Sequence, residues 1–372
     1  MDDWLLLMRQ STTSPARLLK RFPDLDVDGL NWVTKYFPMR VNPYYLSLIQ
    51  SAGDPIYRQA VPDPQEMMDF TGVPDPLHEE EQSPVPGLVH RYPDRCLIWT
   101  TNVCPVFCRF CTRKRFVGKT GISREQIKQA VEYVKATPVI RDVVLSGGDP
   151  LCLSDETLEW ILKQVREIAH VEIIRVGSRV PCTLPQRITP KLVKMMRKYH
   201  PLYVNTHFNH AMELSPQAQQ ALEMLADGGF PLGNQSVLLK GINDDPKALL
   251  ELYRALVKYR VRPYYLYQAD LVEGTEHFRT EVGKGVELMA ALQGITSGLC
   301  LPKFIVDAPG GGGKIPLAPR YMQKVTENGI LLKTYQGKLT FYPESKKIQP
   351  PPPEDTYQMT LEFEDVDSTE AF

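Results

Sequence analysis

The sequence predicts an α/β protein in which strands and helices alternate to form a parallel βα barrel, closed or partial, with an N-terminal helical arm and a C-terminal extension. Two observations carry this reading. After residue 95, seven short runs rich in branched and aromatic residues, from "CLIWTT" to "KFIVDA", alternate with amphipathic helical patterns. The chain has 372 residues, 43% of them hydrophobic, which suits one large core of barrel size. A doubly wound open sheet is the alternative arrangement of the same repeat.

Residues 1–60 read as the helical arm. "SPARLLKRF" and "DGLNWVTKYF" space their apolar residues at helical intervals, and "VNPYYLSLI" follows a break marked by proline. The arm is expected to cap the barrel or to hold a homo-oligomer together. Residues 61–94, rich in proline and acid and without a clean period, read as a connector. Residues 95–300 form the barrel, with strands at "CLIWTT", "RDVVLSG", "VEIIRVGS", "LYVNTHF", "NQSVLLKG" and "RPYYLYQAD". Ser123 and Gln126 form a capping box for a helix whose Ile127, Ala130, Val131 and Val134 share one face. Leu158, Ile161, Leu162 and Val165 line the next helix in the same way. Further helices are expected over 189–200, 215–228, 245–260 and 281–297. Residues 301–345 are a C-terminal segment with the strand "KFIVDA" and Lys314, and 346–372, a proline run with an acidic end, read as a mobile tail.

Charge and composition narrow the function. With 43 Lys and Arg against 44 Asp and Glu, the net charge of −1 supplies none of the basic excess that nucleic acid demands. Small-molecule partners are expected. No stretch reaches the roughly 18 consecutive apolar residues of a membrane span, and "MDDWLLLMRQ" opens acidic, unlike a signal peptide. A cytoplasmic protein without a membrane partner is expected. Seven cysteines, an odd count in a long chain, argue against a disulfide framework and for metal or redox chemistry.

Reactive groups of a barrel belong in the loops at the C-terminal ends of its strands. Cys104, Cys108 and Cys111 follow "CLIWTTNV" in such a loop, spaced CxxxCxxC. Structural zinc wants four protein ligands, and along the chain only Cys96 stands near enough to be a fourth. A [4Fe–4S] cluster on three thiolates leaves one iron open. That iron can hold S-adenosylmethionine by its amino and carboxylate groups and pass it one electron, releasing a 5′-deoxyadenosyl radical. An external electron donor is then needed. At the end of the next strand "SGGD" makes a tight turn, ordinary if taken alone. Four glycines at 310–313 precede Lys314, yet this is no phosphate loop: Ala308 stands where its first glycine belongs and Ile315 where Ser or Thr should hold magnesium. A lysine on a glycine-rich arm is either a solvated side chain or a covalent anchor for pyridoxal phosphate.

CxxxCxxC with Phe110 before its last cysteine, together with "VVLSGGDP", resembles the radical S-adenosylmethionine superfamily. That resemblance implies that Ser146, Gly147, Gly148 and Asp149 receive the amino group of S-adenosylmethionine. From about residue 40 to 343 the chain is similar to the lysine 2,3-aminomutase family, through "DPLHEEEQSPVPGLVHRYPDR", "GSRVPCTLPQRITP", "NTHFNH", "GNQSVLLKGIND", "RPYYLYQAD" and "DAPGGGGK". The similarity implies that Lys314 carries pyridoxal 5′-phosphate and that Arg91, Tyr92 and Arg95 contact its phosphate. It implies that Arg113 grips the substrate carboxylate, a task suited to paired guanidinium hydrogen bonds. It further implies that Asp270 and Asp307 take the substrate's side-chain ammonium and that His207 and Gln235 line the S-adenosylmethionine site. In the family a cysteine after "GxND" and cysteines near the C-terminus hold structural zinc. Here Asp245 follows "GIND" and no cysteine follows Cys300, so zinc is not expected.

The activity so implied is the interconversion of L-lysine and β-lysine by radical 1,2-amino migration. Three alternatives stand beside it. One is an aminomutase for another amino acid. Another is the related enzyme that isomerises lysine before its transfer to elongation factor P, which lacks an intact "DAPGGGGK". The third is a non-catalytic iron–sulfur protein, against which the intact Lys314, Arg113 and three cysteines speak.

Overall fold

In the computed structural model, which describes residues 3–119 and 121–344, the arm is built from short helices punctuated by proline: α1 (Asp3–Arg9), α2 (Val27–Tyr36), α3 (Pro43–Leu48) and α4 (Pro55–Ala60). Asp26, Asn42 and Asp54 cap the last three by accepting hydrogen bonds from backbone N–H groups, and proline opens α3 and α4. The helix expected over "SPARLLKRF" is only a 3-10 turn, Pro15–Leu18. Pro23 closes the room for a longer one. Trp4, Tyr45, Ile49 and Ile56 of the arm are buried in the same core as the barrel residues. The tail expected at 346–372 lies outside the described residues.

The stretch read as a connector hides a strand. Five residues, β1 (Leu88–Tyr92), pair antiparallel with β2 (Arg95–Thr101). From there β2, β3 (Asp142–Gly147), β4 (Ile173–Gly177), β5 (Leu202–Thr206), β6 (Leu232–Leu238), β7 (Val261–Gln268) and β8 (Lys303–Ala308) run parallel, each paired with the next. The connecting helices are α5 (Arg124–Lys135), α6 (Asp155–Arg166), α7 (Val180–Thr183), α8 (Pro190–Met196), α9 (Pro216–Asp227), α10 (Pro246–Lys258) and α11 (Val282–Leu292). Finally β9 (Gly313–Leu317) folds back antiparallel on β8, so the sheet runs on past residue 300.

Strand order follows chain order across all nine strands, and β1 and β9 remain its two edges. A doubly wound sheet would reverse its order at a switch point. The architecture is therefore a partial barrel. Burial alternates along β2 to β7 as a period of two requires. Ile98, Val143, Leu145, Ile174 and Val176 are fully buried against Ile127, Val131 and Leu158 of the helices. Each such side chain contributes about 1.5–3 kcal/mol. Trp99, Ser146, Gln235 and Tyr267 occupy the opposite, inner face and are only partly buried.

The chain divides into two compact units, Met1–Pro319 and Arg320–Phe372. The second contains an antiparallel sheet of β10 (Met322–Thr326), β11 (Gly329–Lys333) and β12 (Leu339–Pro343). Among the described residues, no helix is long and apolar enough to cross a membrane.

Candidate active site

The cysteine loop leaves the C-terminal end of β2 and is seated on the arm. Phe107 and Arg109 donate their backbone N–H groups to the carbonyls of Arg40 and Gln59, and Val106 forms a bridge with Val41. The Arg109 side chain is 2% exposed, with Nε and Nη2 on the Glu66 carboxylate at 2.8 and 2.6 Å. Its remaining donors reach the carbonyls of Phe37 and Pro38. Lys114 adds a second cation to Glu66 at 2.9 Å. Burial alone would raise the Glu66 carboxyl, but Arg109 and Lys114 hold it below its usual range.

Cys104, Cys108 and Cys111 line one cavity with Phe37, Arg109 and Lys114. Desolvation pushes the Cys111 thiol up to about 11 and raises the Cys104 thiol as well, so a metal bound there would have to displace their protons. Among the described residues no three His, Cys, Asp or Glu side chains converge on a single ion position. A cubane cluster needs no such point, because each thiolate binds a different iron corner. Cys96, the sequence's candidate for a fourth ligand, sits buried near the start of β2 beside Asp142 and Arg175, at the far end of the strand from the loop. The extra thiol that does bear on Cys104 is Cys152, which follows the glycine turn.

That turn ends β3. Gly147 has φ +117, and a Cβ there would lie 2.5 Å from the Thr101 carbonyl; one on Gly148 would lie 2.6 Å from that of Val103. Only glycine lets the turn press against the cysteine loop. Asp149 points inward: its carboxylate accepts hydrogen bonds from Leu151 N, Ser178 Oγ, Arg179 N and Val180 N. Burial nevertheless raises its pKa to about 6. Its part in the site is to tie the turn after β3 to the turn after β4. Beyond β5, His207 packs on Phe110 with ring centroids 5.5 Å apart and shares a 3.1 Å hydrogen bond with Asn209 Oδ1. Desolvation and then Arg179 push its pKa down to about 3. Gln235 stands on the inner face of β6.

Arg113 is held by Glu79, an acidic residue to which the sequence assigns no role. Glu79 accepts from its Nε and Nη2, the latter at 2.6 Å, while Nη1 reaches Ser146 Oγ and the Gly147 carbonyl. Arg115 meets the same carboxylate and also Asp75 and Glu80. The signal was present in the acidic run "HEEE", which matches the basic run "RKR" at 113–115, but nothing local joins them.

On the other side of the mouth, the β8 and β9 register sets Asp307 opposite Lys314. Lys314 Nζ lies 3.2 Å from both Asp307 oxygens and 5.3 Å from the Tyr267 ring centroid. The Tyr92 hydroxyl accepts from Lys314 N at 2.9 Å, and the Arg95 guanidinium stacks 3.8 Å over the Tyr92 ring. Arg91 donates to Gln82 Oε1 and the Leu77 carbonyl, and its Nη1 lies 3.7 Å from Asp307. Asp270 closes the group. Burial, then Asp307, raises its pKa to about 7; Glu79 raises it as well, and Lys314 pulls the other way. Arg91, Tyr92, Arg95, Asp270, Asp307 and Lys314 thus gather at one place, a cationic and aromatic setting that fits an aldehyde phosphate joined to an amine. Asp245 lies elsewhere, capping α10 through Ala248 N.

A cysteine loop on the first parallel strand of a partial βα barrel is the arrangement of radical S-adenosylmethionine enzymes, and the model of that superfamily matches residues 98–253. Membership implies a [4Fe–4S] cluster and S-adenosylmethionine. A second model, described as lysine-2,3-aminomutase, matches residues 289–371. The chain is 49% identical over 356 residues to the L-lysine 2,3-aminomutase of Clostridium subterminale, covering 94% of this chain and 86% of that one. It is 50% identical over 350 residues to the enzyme of the same name from Acetoanaerobium sticklandii, covering 92% and 84%. To the glutamate 2,3-aminomutase of Clostridioides difficile it is 45% identical over 307 residues, covering 82% and 73%. The chain belongs to the lysine 2,3-aminomutase family of radical S-adenosylmethionine isomerases.

Proposed function

We propose that this chain interconverts L-lysine and β-lysine, moving the amino group between the α- and β-carbons with the aid of a [4Fe–4S] cluster, S-adenosylmethionine and pyridoxal 5′-phosphate. The observation that carries the reading is the group of Asp270, Asp307 and Lys314, two carboxylates beside one lysine amine. When bound, the cofactors supply the hydrogen-abstracting radical and a carbonyl carbon that takes up an amine. Cys104, Cys108 and Cys111 would hold the cluster, Lys314 the pyridoxal, Arg91, Tyr92 and Arg95 its phosphate, and Ser146 to Asp149, His207 and Gln235 the side of S-adenosylmethionine.

The protein's own residues hold the substrate at both ends. Glu79 holds Nε and Nη2 of Arg113 while Ser146 Oγ and the Gly147 carbonyl hold Nη1, which leaves the second Nη2 hydrogen and the guanidinium charge for the substrate carboxylate. Asp270 and Asp307 meet the side-chain ammonium, since two buried carboxylates are matched by a cation and left unpaired by a neutral or acidic side chain. His207, kept neutral at its low pKa, serves as a hydrogen-bonding wall and not as a proton carrier. The reading includes a one-electron donor for the cluster and a homo-oligomeric assembly in the cytoplasm.

Anaerobic incubation of the reconstituted protein with lysine, glutamate and alanine tests this. β-Lysine should form and the other two should be turned over at least about a hundredfold less well, as expected when a charged site loses its partner. Equal turnover of glutamate, or no product from lysine, overturns the assignment.

A further inference from the structure

Arg179 leaves the turn after β4, and its guanidinium ends against the cysteine loop with Nη1 2.7 Å from Cys108 Sγ. The side chain is 9% exposed. Nη2 donates to Gln59 Oε1 and Glu213 Oε1, each at 2.6 Å, and to the Tyr45 hydroxyl at 3.2 Å; Nε reaches the His207 carbonyl at 3.3 Å. The Phe110 ring lies 5.1 Å from the guanidinium carbon.

These partners are fixed in their turn. The Tyr45 hydroxyl donates to Glu213 at 2.6 Å, Asn209 Nδ2 donates to Gln59 Oε1, and the other Glu213 oxygen accepts from the backbone N–H groups of Asn209 and His210. The arm, the cysteine loop and the loop after β5 all converge on one cation. Such a network does not let the guanidinium swing away from the sulfur.

We propose that Arg179 sets the reduction potential of the cluster, as a fixed buried cation hydrogen-bonded to the sulfur of one of its ligands. It is a positioning residue, acting through Cys108, and the inference rests on reading the three cysteines as cluster ligands. The step concerned is the transfer of one electron from an external donor to the oxidised [4Fe–4S] cluster, which adds one negative charge to the iron–sulfur core. A cation beside a ligand sulfur, in a poorly solvated site, stabilises the reduced form and raises the potential. Glu213 shares the same guanidinium and offsets part of its field. The two residues therefore act with opposite sign.

The test is a redox titration of the reconstituted protein with dithionite, followed by electron paramagnetic resonance, without substrate or pyridoxal phosphate, with iron and sulfide counted for each variant. Iron is counted in the native protein first: absence of a [4Fe–4S] cluster there defeats the cluster reading itself, and this proposal with it. Given the cluster, Arg179→Gln should lower the reduced-to-oxidised ratio about tenfold at the native midpoint, some 59 mV for one electron. Arg179→Lys, which keeps the charge, should recover most of that. Glu213→Gln should move the midpoint upward. A fully loaded Arg179→Gln protein with the native midpoint overturns the proposal. Should that variant fail to hold iron, Glu213→Gln decides: an upward shift supports the proposal, and an unchanged or lowered midpoint overturns it.

Discussion

The two sides of the barrel mouth are built to different standards. On the cysteine side, Arg109, Glu66 and Lys114 form a buried ionic knot, and Arg179 ties the arm to the loop. On the lysine side, Lys314 keeps 29% of its side chain exposed, on an arm whose Gly310, Gly311 and Gly313 have φ of 70, 78 and 90. Two hydrogen bonds to the connector, Gly310 N to the Pro76 carbonyl and Gln82 Nε2 to that of Gly311, steady it. A cluster must present its open corner in one place, which asks for a rigid frame. A lysine that forms and releases a covalent link needs room to move.

The contrast is broken most severely at Arg109. Arg109→Ala leaves Glu66 with Lys114 alone in a buried site and should destabilise the protein by about 3–5 kcal/mol, with loss of bound iron. Urea unfolding and iron analysis check this, and a native unfolding midpoint with full iron would show the arm to be mere covering. Lys314→Ala should abolish turnover and borohydride fixation of pyridoxal and keep the iron–sulfur spectrum, and by leaving the buried Asp307 with Arg91 alone should cost about 1–3 kcal/mol of stability. Pyridoxal still fixed to that variant would assign the anchor to another lysine.

Asp270→Asn should raise KM for lysine about 10- to 100-fold, the range for a hydrogen bond to a charged group. Its pH signature follows from the carboxyl, whose pKa is raised to about 7 in the folded protein. Below that pH the folded carboxyl is neutral and the substrate ammonium lacks a partner, so KM should fall as pH rises through about 7. The asparagine variant should lose this dependence. In the apoprotein the folded state holds the Asp270 proton longer than the unfolded state does, so this residue's contribution to stability declines as pH rises from about 4 to about 7. Asp270→Asn should flatten that decline in urea titrations. A native-like slope in the variant would deny Asp270 its role. Smaller effects sharpen the comparison. Gly313→Ala, with positive φ and a Cβ 3.1 Å from the Tyr92 hydroxyl, should cost about 1 kcal/mol. Cys96→Ala and Cys152→Ala should leave bound iron unchanged, and iron lost from either would give the cluster a fourth protein ligand.

Much of this was legible where the signal is local. The capping box of Ser123 and Gln126 is present, and the helix expected over 245–260 spans Pro246–Lys258. The cysteine loop and the glycine turn both fall at strand ends, as the β-rich runs just before them indicate. Two edge strands carry weak signals: β1, short and adjoining a proline-rich stretch, and β9, which begins in a glycine run with little strand propensity. The partners of the reactive groups were hidden too. Glu79 lies 34 residues from Arg113, and Arg179 lies 71 from Cys108. Periodicity reports which face a residue takes, and it carries no information on which distant residue will stand opposite. Asp149 is the converse case, a motif residue whose carboxylate serves the backbone of the neighbouring turn.

The pairing of Lys314 with Asp307 has a bearing on the order of events. The group resting 3.2 Å from both Asp307 oxygens is a lysine ε-ammonium, chemically the same cation that the proposed substrate would bring. On the proposed reading, the chain without pyridoxal carries its own decoy. Tethered on the adjoining strand, this decoy competes at an effective concentration in roughly the millimolar range, and free lysine is a poor rival. Were Lys314 to hold the pyridoxal as proposed, the decoy would be withdrawn and Asp307 would keep only the more distant Arg91, 3.7 Å away. On the proposed reading, this one cross-strand pair favours loading the cofactor before the substrate.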